Sequence, residues 1–216
     1  MRWMNILTLA TLFGTLALGA DEQVRDFKFD KASLGKVPPG WTMARTGKGQ
    51  GSDWKVAADE TAPSRTGCAL AQVAERPSAV FNLCVDNDSK YKDLEASVAF
   101  KAIRGKNDQG GGIVWRYQDA DNYYIARMNP LEDNYRVYKV VAGKRIQLAT
   151  KEGVTAKAGE WHTLTIEMKG DHIQCSLDGK KLLDAHDDTL KAAGKVGLWS
   201  KSDAQTHFDA FKVRGI

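Results

Sequence analysis

The residues best suited to binding chemistry are arginines, tyrosines and asparagines that recur between Gly110 and Leu148. A tyrosine ring offers a flat apolar surface with a polar tip, and an arginine offers a planar fork of hydrogen-bond donors. Sugars present C–H faces together with hydroxyl or carboxylate edges, so they suit a surface built from these side chains. The candidate set is Arg116, Tyr123, Arg127, Asn129, Asn134, Arg136 and Tyr138.

Four short β-rich runs with turn-forming residues between them predict consecutive hairpins that carry this set. The three connecting loops are expected at residues 119–122, 130–133 and 142–143. Loop positions fix which residues face each other across a hairpin. The resulting pairs include Arg116 with Ile125, Arg127 with Arg136, Asn129 with Asn134, Ile125 with Tyr138, and Val137 with Leu148.

These pairings place the whole candidate set on one face of a sheet, because side chains alternate between faces along a strand. Trp115, Tyr124 and Met128 fall on the other, apolar face, where Lys139 is a misfit expected near an edge. Arg127 opposite Arg136 would be destabilising by up to ~1 kcal/mol unless a carboxylate lies between them. Two interpretations follow: a solvated sheet neutralised by a carboxylate from elsewhere in the chain, or a recognition surface.

The carboxylates near this set do not form an evident catalytic pair. Classical glycoside hydrolysis needs two carboxyl groups about 5–9.5 Å apart. Glu132 and Asp133 are adjacent, so on a strand they would point to opposite sides, and a loop position suits them better. Asp119 and Asp121 lie in an expected turn, where aspartate is favoured for its backbone hydrogen bonds. The sequence favours a non-catalytic surface and leaves enzymatic action open.

The first twenty residues have the features of a secretory signal peptide. Arg2 supplies the positive start, an apolar run follows, and the small residues at 17–20 offer a cleavage site. Cleavage would leave residues 21–216 as one exported domain, periplasmic or secreted, with no membrane insertion. The chain carries 31 Lys+Arg and 27 Asp+Glu, a net charge of +4, which falls to +3 without Arg2. This mild, mixed charge argues against nucleic acid as a partner.

Three cysteines, Cys68, Cys84 and Cys175, would meet an oxidising compartment after export. A Cys68–Cys84 disulfide and two free thiols are both open interpretations, since an odd count argues against a disulfide scaffold. Cys175 falls on the apolar side of its strand and is expected to be buried. The Cys and His spacings do not match a zinc motif.

Strand signals recur about every 12 residues, and helical periodicity is never sustained. The Asp178-Gly179 pair between two β-rich runs predicts a further hairpin with a type I′ turn. Many even strands with Gly and Asp turns predict an all-β protein, a two-sheet antiparallel jelly-roll sandwich over residues 21–216. One sheet would then present its outer face as a concave platform.

Several motifs carry a family resemblance: Trp161-His162-Thr163-Leu164, Leu177-Asp178-Gly179-Lys180, Gly194 to Trp199 and Phe208-Asp209-Ala210-Phe211. With the hairpin meander, the chain from Asp26 to Val213 resembles the concanavalin A-like and laminin G-like jelly rolls. It is similar to exported bacterial domains of the 3-keto-disaccharide hydrolase-related group and to family 16 glycoside hydrolases. The two-glutamate signature of family 16 is absent, and so is the opening motif of the keto-sugar hydrolases.

The resemblance implies a carbohydrate site on the concave face, which Trp199 and Lys201 would join by strand parity. It also implies a structural calcium ion held by Asp30 and Asp209; the alternative is that Asp209 caps a turn or pairs with a Lys or Arg, and no other cofactor is indicated. The main hypothesis is an exported, non-catalytic, lectin-like module for an acidic or oxidised glycan. The alternatives are a glycoside or keto-sugar hydrolase acting at the same face, and a structural or adhesion domain whose partner is a protein.

Overall fold

The computed structural model describes residues 24–49, 52–74 and 79–216, and these form an almost entirely β structure. The predicted signal peptide, residues 1–20, lies outside the described residues. In chain order the strands are β1 (Arg25–Phe27), β2 (Trp41–Thr46), β3 (Trp54–Ala58), β4 (Cys68–Gln72), β5 (Phe81–Asp86), β6 (Leu94–Arg104), β7 (Gly111–Asp119), β8 (Asn122–Asn129), β9 (Asn134–Val141), β10 (Lys144–Glu152), β11 (His162–Lys169), β12 (His172–Leu177), β13 (Lys180–His186), β14 (Lys195–Lys201) and β15 (Gln205–Gly215). One short 3-10 turn, Lys31–Ser33, lies between β1 and β2.

The strands form two antiparallel sheets packed face to face, which confirms the predicted jelly-roll sandwich. The eight-stranded sheet has the order β13-β12-β11-β6-β15-β4-β3, with β1 added beside β15. The seven-stranded sheet has the order β10-β9-β8-β7-β14-β5-β2. Alternate residues of both sheets fill one core between them, including Trp115, Tyr124, Leu164, Ile166 and Phe208.

The predicted hairpin register is correct in the middle and shifted at both flanks. Arg127 faces Arg136 and Asn129 faces Asn134, as expected. On one side, Val137 faces Ala149 rather than Leu148 because a bulge interrupts β10. On the other side, β7 carries a bulge, so that Ile125 faces Val114 and not Arg116.

The seven-stranded sheet curls so strongly that its outer face encloses a second apolar cluster. β2 and β8 stand four strand spacings apart, about 19 Å in a flat sheet. Yet the Thr46 hydroxyl at the end of β2 lies 2.8 Å from the Tyr123 hydroxyl on β8. Thr46 also donates to the Ala120 carbonyl in the β7–β8 turn. The enclosed residues are Leu83, Val85, Val114, Tyr123, Ile125, Tyr138, Val140 and Trp199.

The three cysteines are free thiols and all are buried. Burial raises the pKa of the Cys84 and Cys175 thiols above the ordinary range, which makes both poor nucleophiles. Within the described ranges, no helix has both the length and the apolar character needed to span a bilayer.

Candidate functional site

The curled face of the seven-stranded sheet has one polar end, which gathers most of the predicted binding residues. We call it the polar cluster, and it consists of Asp108, Arg127, Asn129, Glu132, Asn134, Arg136, Tyr138, Arg145 and Lys201. β8 and β9 supply its centre through their directly opposed residues. The loop between these strands, the loop before β7 and the end of β14 supply its sides.

Glu132 resolves the electrostatic conflict between the two opposed arginines. Its carboxylate accepts a 2.7 Å hydrogen bond from Arg127 and lies 3.6 Å from Arg136. Burial acts to raise the Glu132 pKa, but the two donors Arg127 and Asn134 outweigh it and hold that pKa below its ordinary value. The carboxylate anticipated between the arginines therefore comes from the β8–β9 loop.

Arg127 is the buried centre of the cluster, with 1% of its surface exposed. Its Nη1 donates to the Asn134 side chain at 2.5 Å, and its Nη2 also reaches the Tyr138 hydroxyl at 3.4 Å. Arg136 is more open and pairs with Glu152 at 3.0 Å. One arginine is thus fixed inside the cluster, while the other lies at its rim.

A second ion pair closes the other side of the cluster. Lys201 at the end of β14 donates to the fully buried carboxylate of Asp108 at 3.1 Å. The second Asp108 oxygen accepts from the Gly110 backbone at 2.7 Å. Burial raises the pKa of Asp108 in spite of the Lys201 charge, so its ionised form is held at some cost.

The Tyr138 ring has two guanidinium groups close to it. The Arg145 guanidinium carbon is 4.4 Å from the ring centroid, and that of Arg127 is 5.9 Å away. Arg145 also covers Phe81 from across the curl at 4.9 Å. Burial lowers the Arg145 pKa below its ordinary value, as expected for a cation withdrawn from water.

Three buried donor atoms of the polar cluster have no hydrogen-bond partner among the described residues. They are Arg127 Nε, Arg145 Nη1 and Asn129 Nδ2. Most buried polar atoms in folded proteins are paired, and an unpaired one costs about 1–3 kcal/mol. All three are donors, so a group that paired with them would have to offer acceptor atoms.

Two predicted aromatic platforms are not at the surface. Tyr123 and Trp199 are fully buried in the second apolar cluster, where Trp199 packs 5.4 Å from Phe81. The curl of the sheet explains the difference, because strand parity places both side chains on the outer face but cannot show that this face is closed. Neither ring can stack on a ligand in this conformation.

Arg116 is a correction to the sequence-based set. It occupies the β7 bulge with a φ of 44°, which turns its side chain away from the Arg127 face. Its guanidinium donates to the Lys92, Leu190 and Gly170 carbonyls and to Asp93 at 2.7–3.1 Å. Arg116 is buried and saturated by the protein, so its role is structural.

The two predicted calcium ligands differ in burial and in their hydrogen bonds. Asp209 is fully buried, with one oxygen accepting from the Ser64 backbone and Oδ1 without a partner among the described residues. Asp30 is exposed and accepts from the Ala32 backbone as the cap of the 3-10 turn. Asp209 therefore has an oxygen that can ligate a cation, whereas the Asp30 carboxylate already caps the 3-10 turn.

Sequence reasoning missed Asp108, Glu132 and Arg145 as members of the site. For Arg145 a signal was present, because the predicted third loop pairs it with Val140 and so places it on the outer face. Asp108 and Glu132 come from loops, whose side-chain directions do not follow strand parity. The sequence features nearest to them are the glycine run that follows Asp108 and the proline, Pro130, that precedes Glu132.

The fold and the curled face define the class of two-sheet jelly-roll domains, here with a polar cluster at one end of the seven-stranded sheet. The chain belongs to the 3-keto-alpha-glucoside-1,2-lyase-like domain family, whose model matches residues 29–214. Comparison with curated protein sequences gave no match.

Among solved structures, the chain is similar to the carbohydrate binding module CBM66 from Bacillus subtilis, with 20% identity and a TM-score of 0.65, over 81% of this chain and 95% of that one. It is similar to the exoplasmic/lumenal domain of VIP36 in its Ca2+/Man3GlcNAc-bound form, with 13% identity and a TM-score of 0.55, over 82% and 84%. It also resembles part of the GH43 protein BlXynB from Bacillus licheniformis, with 20% identity and a TM-score of 0.51, over 75% of this chain and 36% of that one. At these identities the likeness establishes the shared fold.

Proposed function

We propose that the protein is an exported carbohydrate-binding module, and that the polar cluster binds an acidic or oxidised glycan without cleaving it. The observation that carries this proposal is the set of three buried donors without acceptors, on Arg127, Arg145 and Asn129. Carboxylate and hydroxyl oxygens of a sugar are acceptors of the required kind. The carbohydrate binding module CBM66 and the Man3GlcNAc-bound domain of VIP36, both similar in fold, support it.

The charge of the cluster favours an anionic ligand. Arg127, Arg136, Arg145 and Lys201 contribute four positive charges, against two from Asp108 and Glu132 within the cluster. A carboxylate entering beside Arg145 would accept charge-assisted hydrogen bonds, which are worth about 1.5–3 kcal/mol each. The partly exposed Arg136 at the rim would meet the ligand first.

The binding test compares two neighbouring cations on one strand. Arg145 lies in the cluster, whereas the adjacent Lys144 is exposed and points to the opposite side of β10. We expect Arg145→Gln to weaken binding of an oligouronate at least about tenfold, since 1.4 kcal/mol corresponds to one decade of affinity. Lys144→Gln removes the same charge and should leave affinity within about twofold, well under that decade.

The measurement is titration calorimetry with neutral, acidic and keto-sugar oligosaccharides, with the melting temperature of each variant as a folding control. An equal loss of affinity in both variants would show that the effect comes from net charge alone. Failure of every glycan to bind would overturn the proposal, and retention together with sugar release would replace it with an enzyme. The mass of the mature protein tests export, with Asp21 expected as the first residue.

A second candidate function is lyase or hydrolase action on a 3-keto-sugar at the same cluster. Membership of the 3-keto-alpha-glucoside-1,2-lyase-like family favours it. Elimination beside a ketone requires a base for the adjacent C–H proton, and Asp108 and Glu132 are the carboxylates of the cluster. Turnover of a 3-keto-glucoside that Asp108→Asn or Glu132→Gln abolishes would establish this function.

A further inference from the structure

The β12–β13 hairpin at the edge of the eight-stranded sheet carries two histidines side by side. The Asp178-Gly179 turn between these strands has positive φ at both residues, 48° and 78°, as predicted for this hairpin. A bulge further along adds one residue to β13. Without it His172 would face Ala185, but with it His172 lies directly opposite His186.

Asp184 lies on the same solvent-facing side of the hairpin, two residues before His186. The two imidazole rings are stacked with centroids 4.5 Å apart and planes 6° from parallel. His172 Nε2 lies 2.8 Å from Asp184 Oδ1. One ligand atom from each of the three residues lies within 4.8 Å of the other two.

This spacing is close to that of a metal site. Ligands about 2.0–2.1 Å from a tetrahedral zinc ion stand about 3.3 Å from one another. Side-chain rotations that turn the two near-parallel rings toward a common point would bring both imidazoles and the carboxylate to that separation. Their side chains are 37%, 63% and 47% exposed for His172, His186 and Asp184, so an ion and a completing water can reach them.

The neighbouring groups would support an ion there. Asp171 accepts from His186 Nδ1 at 3.3 Å and leaves Nε2 of that ring for the metal. A carboxylate on the second ring nitrogen is the usual outer partner of a metal-bound histidine. Lys181 Nζ lies 2.6 Å from Asp184 Oδ2 and is the cation that competes with a metal for this carboxylate.

We propose that His172, His186 and Asp184 form a binding site for a borderline divalent transition metal, Zn²⁺ or Cu²⁺, which ties the two edge strands together. Imidazole ligands select such ions, whereas Ca²⁺ requires six to eight oxygen ligands. The site lies on the eight-stranded sheet and is independent of the polar cluster and of the function proposed for it.

The test uses purified protein after dialysis against EDTA, titrated by calorimetry with Zn²⁺, Cu²⁺ and Ca²⁺ separately. We expect one Zn²⁺ or Cu²⁺ per chain, a higher melting temperature with either ion, and no response to Ca²⁺. His172→Ala and His186→Ala should each weaken binding at least about tenfold, the loss typical even of an outer-shell partner. The Cu²⁺ complex should show two nitrogen ligands by electron paramagnetic resonance.

His162→Ala is the matched control, because His162 forms a 2.8 Å contact with a carboxylate, Asp178, but belongs to no group of three metal-ligating side chains among the described residues. That variant should keep the wild-type affinity. Equal loss in all three variants, unchanged binding in the two hairpin variants, or a response to Ca²⁺ equal to that to Zn²⁺ would overturn the proposal.

Discussion

Replacing Arg116 with methionine should destabilise the fold severely, although strand parity in the sequence predicted that this arginine binds a ligand. The guanidinium donates four hydrogen bonds, to the carbonyls of Lys92, Leu190 and Gly170 and to the Asp93 carboxylate. These acceptors come from loops of both sheets. Arg116 therefore joins the ends of several strands around one buried charge.

The magnitude follows from the groups that Arg116→Met would leave unpaired. Each orphaned acceptor costs about 1–3 kcal/mol, and the lower end applies here because water can reach the exposed Gly170 and Lys92 loops. Three carbonyls then cost about 3 kcal/mol. Losing the ion pair with the partly exposed Asp93 adds about 1 kcal/mol or less, which gives an expected loss of about 3–4 kcal/mol.

The assay is urea unfolding followed by tryptophan fluorescence, with the slope of free energy against urea compared between variants. Arg136→Met is the control, because Arg136 is a partly exposed rim residue whose ion pairs are worth about 1 kcal/mol or less. Arg116→Met within about 1 kcal/mol of the wild type, the worth of one hydrogen bond, would refute the structural role.

Three further predictions concern packing, acid stability and thiol reactivity. Gly112→Ala should cost about 1–3 kcal/mol or more in urea unfolding, because its Cβ would meet the Ala126 carbonyl and lie 2.9 Å from Arg127 Cβ; a neutral effect would contradict the β7–β8 register. Burial acts to raise the Asp187 pKa, but hydrogen bonds from Lys139 and other donors outweigh it and lower that pKa to about 2. The contribution of Asp187 to folding stability is therefore fully present above its unfolded-state pKa of about 3.9 and is lost as pH falls towards 2. Asp187→Asn should make the free energy of unfolding less dependent on pH in that window. The three thiols should react with a disulfide reagent only after unfolding, and fast reaction of any one in the native protein would contradict its burial.

The sequence predicted the sandwich and the central hairpin because these depend on local signals. Alternation and loop length suffice to pair Arg127 with Arg136, and the Asp178-Gly179 turn marks its own hairpin. The residue pairs on either side of this central hairpin were predicted wrongly because β7 and β10 each contain a bulge. The extra residue at Arg116 is stabilised by carbonyls more than twenty residues away in either direction, so no local pattern marks it.

The candidate site shows the same division between local and distant causes. Strand parity correctly put Arg127, Asn129, Asn134 and Tyr138 on one face. It could not show that the face curls over Tyr123, since that curl depends on β2 reaching β8 across three intervening strands. The continuous apolar runs of β7 and β8, buried on both faces, were the available signal.

The curl also decides what kind of recognition the polar cluster can perform. A flat lectin face would let Tyr123 and Trp199 stack on the C–H face of a sugar ring, but here both rings stabilise the second apolar cluster instead. What remains for a ligand is the group of donors around Tyr138. Recognition would therefore depend on the charged or hydroxylated edge of a glycan rather than on its apolar face. Salt screens the attraction between an approaching anion and the partly exposed Arg136 at the rim, so affinity for an acidic glycan should fall as ionic strength rises, an effect that stacking on an apolar ring face would not produce.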